Sequence, residues 1–190
     1  MPRTQSIFRD TGITLVEVLV TLVILAIGLL GLVALHGRVQ ILQAEAYQRA
    51  QALMLLKDMS ARISNNRNSA DAYVTGAEEP LGGDEECPAA DATRASVDLR
   101  EWCLALQGAS EREGATNVGA MLGGRGCVER PVPGQYLVTV AWQGLAPTTA
   151  PPEDVACAAD PAIYGGEGTV CEGDRCRRVV TTVVIIPDLT

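Results

Sequence analysis

The sequence predicts an α+β protein: a long N-terminal α-helix, membrane-spanning in its first half and amphipathic in its second, packed on a small antiparallel β-sheet head that carries disulfides. Three observations predict it. Residues 13–35 are 23 positions interrupted by polar groups only at Thr14, Glu17 and Thr21. Residues 36–66 contain no Pro, and their apolar side chains recur at steps of three and four. Late in the chain, 135–143 (QYLVTVAWQ) and 178–186 (RVVTTVVII) are dense in β-branched residues, the second stopped by Pro187.

Each element follows in order. Residues 1–12 (MPRTQSIFRDTG) are short and polar. As a helix, 13–35 would measure roughly 34 Å, enough to cross a bilayer core. A secretory signal peptide would place its apolar run before a small-residue cleavage site. Here the small residue, Gly12, precedes the run, so a cut there keeps the helix in the product. Arg3 and Arg9 place the N-terminus on the cytoplasmic side and the bulk of the chain outside.

Beyond the membrane half, Leu35, Val39, Leu42, Ala46, Leu53, Leu56 and Ile63 mark one apolar stripe, with Gln40, Gln43, Glu45, Gln48, Asp58 and Arg62 mostly off it. Asn65 and Asn66 supply a stop. The whole helix, about 50 residues, would span roughly 75–80 Å. Residues 67–90 read as loop, acidic and broken by Gly76, Pro80, Gly82, Gly83 and Pro88. A second helix is expected over 91–107, where Ala95, Leu99, Trp102 and Leu106 share a face. Glycine-rich sequence then leads to the strands, with 127–130 pairing before a turn at Pro133-Gly134. A Pro-rich, Cys-containing insertion, 144–176, separates the two main strands.

Composition narrows the function. The 190 residues carry a net charge of −8, which argues against a nucleic-acid-binding surface. The one basic cluster, Arg175, Arg177 and Arg178, reads as the edge of a strand. All six cysteines, Cys87, Cys103, Cys127, Cys157, Cys171 and Cys176, lie outside the membrane segment and form no CxxC pair. Their even number and wide spacing read as disulfides made outside the cytoplasm, against an alternative of free cytosolic thiols. Six cysteines allow 15 pairings; the flanking strands favour Cys157 with Cys171 or Cys176. Only His36 is present as a histidine, without a Ser, Cys or Asp constellation. No metal-ligand spacing or nucleotide-binding glycine loop is present, so neither metal, cofactor nor enzymatic activity is expected.

The segment Gly12-Ile13-Thr14-Leu15-Val16-Glu17 resembles the type III signal of type IV pilins and related pseudopilins. That resemblance implies cleavage between Gly12 and Ile13 by a membrane prepilin peptidase, which then methylates the new N-terminus at Ile13. Gly suits the site because it leaves the backbone accessible to a peptidase pocket. The family usually places a basic residue just before this Gly. Asp10-Thr11 stand here instead, which implies less efficient processing at the same site. Glu17 costs about 1–3 kcal/mol inside an apolar membrane helix. The resemblance supplies its partner, the charged amine of residue 13 in a neighbouring subunit, which offsets desolvation and sets axial register. Gly28 and Gly31, three apart, allow close helix approach or local loosening. Thr14 and Thr21 read as backbone-bonded helix residues.

Three blocks are similar to the minor pilin family PilV, the type IV pilus modification proteins: 17–20 (EVLV) running into 24–32 (ILAIGLLGL), 136–144 (YLVTVAWQG) and 177–184 (RRVVTTVV). The likeness implies a type IV pilin-like fold with a leader at 1–12, a transmembrane half at 13–35, an amphipathic half at 36–66 and a periplasmic head at 67–190. It implies a low-abundance subunit of the complex that primes pilus assembly, held in the bacterial inner membrane. Its partners would be other minor pilins and the major pilin, through the N-terminal helix. Two alternatives stand beside it. One is a minor pseudopilin of a type II secretion system, and the other is an adhesin or ligand-binding module on a pilin stalk. An exposed apolar or aromatic patch on 144–176 would favour the last.

Overall fold

The computed structural model describes residues 12–187 apart from 110, 111, 115, 118 and 120. The chain divides into two compact units, Met1–Gln43 and Ala44–Thr190. Helix α1 (Leu15–Asn65) contributes to both and ends where the two asparagines predict. In the first unit, every described side chain is exposed. An 18-residue window of α1 reaches a mean hydropathy of 3.0 with none of it buried, so by length and composition it can cross a membrane.

In the second unit α1 is followed by a 3₁₀ helix (Arg67–Tyr73), β1 (Leu81–Gly82) and α2 (Arg94–Leu106). Then come a small hairpin of β2 (Arg112–Glu113) and β3 (Thr116–Asn117), the long strands β4 (Arg125–Val132) and β5 (Gln135–Gln143), the short α3 (Pro161–Tyr164), and β6 (Arg177–Ile185). A four-stranded antiparallel sheet has the order β1-β4-β5-β6. β5 has the bounds its composition predicts, β6 is shifted by one residue, and β4 is longer than 127–130. The β4–β5 connection is Pro133-Gly134, with Gly134 at φ +76°, a conformation open to glycine in a two-residue turn.

One face of the sheet makes the main core. Tyr136, Val138, Val140 and Trp142 of β5 cluster with Ala52, Leu56, Met59 and Ile63 of α1 and with Trp102 and Leu106 of α2. Each large side chain buried this way stabilises the fold by about 1.5–3 kcal/mol. Trp102 donates from its indole N–H to the Leu55 carbonyl at 3.0 Å. It lies so close over β4 that a Cβ on Gly126 would overlap its ring. Glycine here makes room for tryptophan.

The other face of β5 is buried as well. Ala141 packs with Ala158 and Tyr164, both from the 144–176 insertion. Cys127 lies opposite Thr139 on this face and is bonded to Cys157. Arg177, buried at the start of β6, donates to the Asp174 carboxylate at 2.8 Å and to the carbonyls of Val155 and Cys157 at 2.8 and 3.0 Å. Arg178 donates to the Ala146 carbonyl at 2.6 Å. The basic cluster does sit at a strand edge, and its two strand residues tie the insertion down.

Three expectations need correction. Cys157 pairs with neither Cys171 nor Cys176: the disulfides are Cys87–Cys103, Cys127–Cys157 and Cys171–Cys176. The reason is that the insertion folds back across the sheet and brings Cys157 over β4, far away in sequence. Residues 67–90 are not all loop, since a 3₁₀ helix and β1 form there, the latter paired to β4. The buried stripe of α1 is Gln48, Ala52, Leu56, Met59 and Ile63. Of the stripe read from sequence, Leu56 and Ile63 lie on it; Ala46 and Leu53 are exposed.

The two insertion disulfides differ in loop length, with sequence separations of 30 for Cys127–Cys157 and 5 for Cys171–Cys176. Loop-closure entropy predicts that replacing both Cys127 and Cys157 by Ser lowers stability by about 3.5 kcal/mol, against about 2 kcal/mol for the Cys171 and Cys176 pair. Urea unfolding of the detergent-solubilised chain measures the difference.

Candidate functional site

The candidate assembly segment begins at the start of α1. Residues 1–11 of the leader lie outside the described residues. Gly12, Ile13 and Thr14 precede the helix. The Thr14 carbonyl accepts from the amides of Glu17 and Val18, and its Oγ1 accepts from the Glu17 amide at 3.3 Å. Thr14 therefore caps the helix, and Glu17 falls in the first turn at the position a capping box reserves for Glu. A carboxylate there is favoured by the helix macrodipole. The Glu17 side chain is exposed and makes no hydrogen bond or ion pair among the described residues. Thr21 donates its hydroxyl to the Val18 carbonyl at 2.8 Å, the backbone-bonded role its sequence position predicts.

Further along, α1 runs through Gly28 and Gly31 without interruption. A Cβ at either would meet nothing within 4 Å. Among the described residues, then, nothing crowds these two positions. His36 is exposed in the same helix.

The structure assigns a role to polar residues of α1 that periodicity set aside. Gln48 is 6% exposed and accepts the Leu122 amide on its side-chain oxygen at 3.1 Å. The Glu45 carboxylate accepts the Leu145 amide at 3.0 Å. Arg62 donates to Asp58, Asp98 and Glu101 at 2.9, 2.7 and 2.7 Å. Asp98 is buried in α2 and also receives the Tyr73 hydroxyl at 2.6 Å, while Asn66 donates to Tyr73 at 3.2 Å. Burial acts to raise the Asp98 pKa, but Tyr73 and Arg62 outweigh it and hold the carboxyl below the usual range. Burial, then the bond to Asp98, pushes the Tyr73 phenol up. Burial would lower the Arg62 guanidinium, yet its carboxylate partners raise it above its ordinary value. The signal that could have found these residues is the three- and four-residue spacing of Glu45, Gln48, Ala52, Leu55, Met59 and Arg62. It reads as a stripe only once polar residues are admitted.

Away from that face α1 keeps apolar groups in the open. Leu53 is 38% and Met54 64% exposed. Elsewhere on the head, a cleft of about 780 Å³ is lined by Glu78, Glu79, Glu85, Glu86, Arg125 and Asp160, among others. Among the described residues no group of three His, Cys, Asp or Glu could hold a metal. The insertion has one aromatic residue, Tyr164, and it is buried with its hydroxyl donating to the Gly123 carbonyl at 2.9 Å. Of the apolar or aromatic patch that an adhesin reading asks of this segment, the aromatic part is buried, and the exposed large apolar side chains are Leu145 and Val170.

Against known proteins, residues 7–33 match the family model described as the prokaryotic N-terminal methylation motif. No curated protein and no solved structure matches the chain. The matched span contains Gly12, Ile13 and Glu17. With the apolar helix, the four-stranded sheet and the disulfides, the motif supports a type IV pilin-like protein, a subunit of the pilin or pseudopilin kind. The motif marks structural rather than catalytic proteins.

The Asp98 network allows a stability test. Its carboxyl is depressed below the ordinary 3.8. Its contribution is therefore complete above that value and is lost as pH falls through the lower, folded-state pKa. Asp98→Asn is expected to destabilise the chain by about 2 kcal/mol at pH 7, since Arg62 keeps two other carboxylates. Urea midpoints of the variant and the unaltered chain should converge as the pH is lowered below 3.8.

Proposed function

We propose that this chain is a minor type IV pilin, a structural subunit of the complex that primes pilus assembly, made as a precursor and cut between Gly12 and Ile13. The observation that carries the reading is the methylation motif over residues 7–33 with an exposed Glu17 in the first helical turn that has no partner among the described residues. Cleavage leaves a charged amine at Ile13. In a bilayer, Glu17 of one subunit and that amine of the next neutralise one another and fix the axial offset between helices. The helix dipole adds to the preference for a negative group at this end.

In this reading residues 13–35 anchor the subunit in the inner membrane with the head in the periplasm, where its three disulfides form. Gly28 and Gly31, which nothing among the described residues crowds, become the places where neighbouring helices approach. The exposed Leu53 and Met54 extend the contact beyond the membrane. The disulfides and the 136–144 block support a pilus subunit over a secretion pseudopilin.

Two measurements test it. Mass spectrometry of the N-terminus is expected to find methylated Ile13, abundant in envelope fractions and scarce in sheared pili. An intact Met1, or a start downstream of Leu35, would refute the reading. Glu17→Ala should insert and be cleaved as before, yet be lost from sheared pili; normal incorporation would show that the carboxylate has no assembly role.

A further inference from the structure

Two charged side chains of the head lack a partner among the described residues and stand in apolar surroundings. The first is Lys57, the single lysine of the 190 residues. It is exposed on α1, and no carboxylate pairs with it among the described residues. The positions one helical turn away from it are Leu53, Met54, Ser60 and Ala61, so α1 offers it no acid at that spacing. Helical spacing puts Met54, Lys57 and Ala61 on the side of α1 turned away from its buried stripe of Gln48, Ala52, Leu56, Met59 and Ile63. Leu53 is 38% and Met54 64% exposed, so the ammonium rises from an apolar surface.

The second is Glu129. On β4 it pairs with Leu137 of β5, which pairs with Val183 of β6, so the three side chains form one row across the insertion side of the sheet. The insertion covers the rows on one side of this one: Cys157 is bonded to Cys127, and Ala158 and Tyr164 pack on Ala141. From the row of Glu129 onward the face is open, with Val183 50% and Ile185 67% exposed. Oε2 of Glu129 is nonetheless shut off from water and accepts no hydrogen bond among the described residues. The neighbouring Arg130 is taken by Asp71 at 3.0 Å. Burial pushes the Glu129 carboxyl up, and an unpaired carboxylate in such a place is costly. A cation carried on an apolar surface is what this row lacks.

We propose that a second copy of this chain supplies it, laying Leu53, Met54 and Lys57 of its α1 along Thr181 and Val183, with the Lys57 ammonium reaching over Leu137 to the Glu129 carboxylate. Thr181 and Val183 are both exposed, and the two extended side chains bridge two strand spacings, about 10 Å. The levels of the two groups agree. Glu45 of α1 lies 3.7 Å from Arg178 near the start of β6. From there Lys57 is about 18 Å along the helix and Val183 about 17 Å along the strand. Helix and strand run the same way: Asp71, just past the end of α1, accepts from Tyr136 at 2.6 Å, and Tyr136 pairs with Val184 near the end of β6. A sideways translation therefore joins the two groups and leaves both copies of α1 pointing in one direction, as two chains anchored in one bilayer must. The contact is heterologous, so it repeats without closing. One copy cannot make this pair alone, because Lys57 faces away from the sheet and Glu129 lies on the side that α1 does not cover. Glu17 and the leader play no part, so this pair can fail while the reading of the N-terminus stands.

Carbodiimide coupling tests the pair, because an amide from the sole lysine to Glu129 is unambiguous by mass spectrometry. Full chains grown in light and in heavy nitrogen are mixed, reconstituted in phospholipid vesicles and coupled. The expected product joins Lys57 of one isotope to Glu129 of the other. Its yield should be about ten times that of any link to the exposed Glu78, Glu79, Glu85 or Glu86. In the doubly reversed chain, Lys57→Glu with Glu129→Lys, the same two positions should couple with their roles exchanged. Neither side chain has a partner in its own copy, so the thermal melt of that variant should match the unaltered chain. Absence of a mixed-isotope link in the unaltered chain overturns the proposal, as does a yield no higher than that of the exposed glutamates. So does a folded double variant that fails to couple, or native envelopes in which Lys57 is joined to a different protein in place of Glu129.

Discussion

The head depends on one constraint: β5 is buried on both of its faces. Val138, Thr139, Val140 and Ala141 are all shielded completely, so the strand cannot present a polar face to water, and each side must be covered. Helices α1 and α2 cover one side with a conventional apolar core. The other side has no long helix. It is covered by an insertion with a single four-residue helix, and such a segment has little regular structure of its own to hold its shape. The Cys127–Cys157 bond and the Arg177 guanidinium, bridging Asp174 and two insertion carbonyls, supply what the segment lacks. The insertion is thus a second wall of the core.

Helix α1 meets the sheet under a related constraint. An apolar face alone permits a helix to slide along its axis; hydrogen bonds at fixed points do not. Glu45 to the Leu145 amide, Gln48 to the Leu122 amide, the Leu55 carbonyl to Trp102 and Arg62 to Asp98 are spaced along the helix and fix its position. Spending polar residues on the docking face leaves Leu53 and Met54 free on another. Under the proposed function, that apolar face is the one available to neighbouring subunits. At the N-terminal end of α1 Thr14 satisfies the amide of Glu17, while the Glu17 carboxylate makes no hydrogen bond or ion pair among the described residues.

Much of this was legible in the sequence. The extent of α1 to Asn65 follows from a Pro-free periodic run with an asparagine stop, and β5 from a nine-residue β-branched and aromatic segment. The placement of Ala95, Trp102 and Leu106 on one buried face of α2 follows from their spacing. Local pattern misled where polar residues were buried. Gln48 and Arg62 read as off the apolar stripe, yet each finds a partner more than thirty residues away, as a shielded polar group must. No local signal marks β1 either: Leu81 and Gly82 form a strand because β4 lies alongside.

By itself, the sequence determined the parts whose physics is local: the apolar helix, the Gly12-Ile13 junction with Glu17 downstream of it, and the main strands. These depend on periodicity, composition and short motifs: the end of the helix and β5 fall where predicted, β6 is shifted by one residue, and the junction lies in the matched methylation motif. Only the tertiary structure decided which face of α1 docks, which cysteines pair, and that β6 is left with an open edge. Those outcomes depend on chain segments meeting across long separations. A cysteine or an arginine carries no mark of which distant segment will pass over it. The path of the insertion across β5 settles that for Cys157 and Arg177 together.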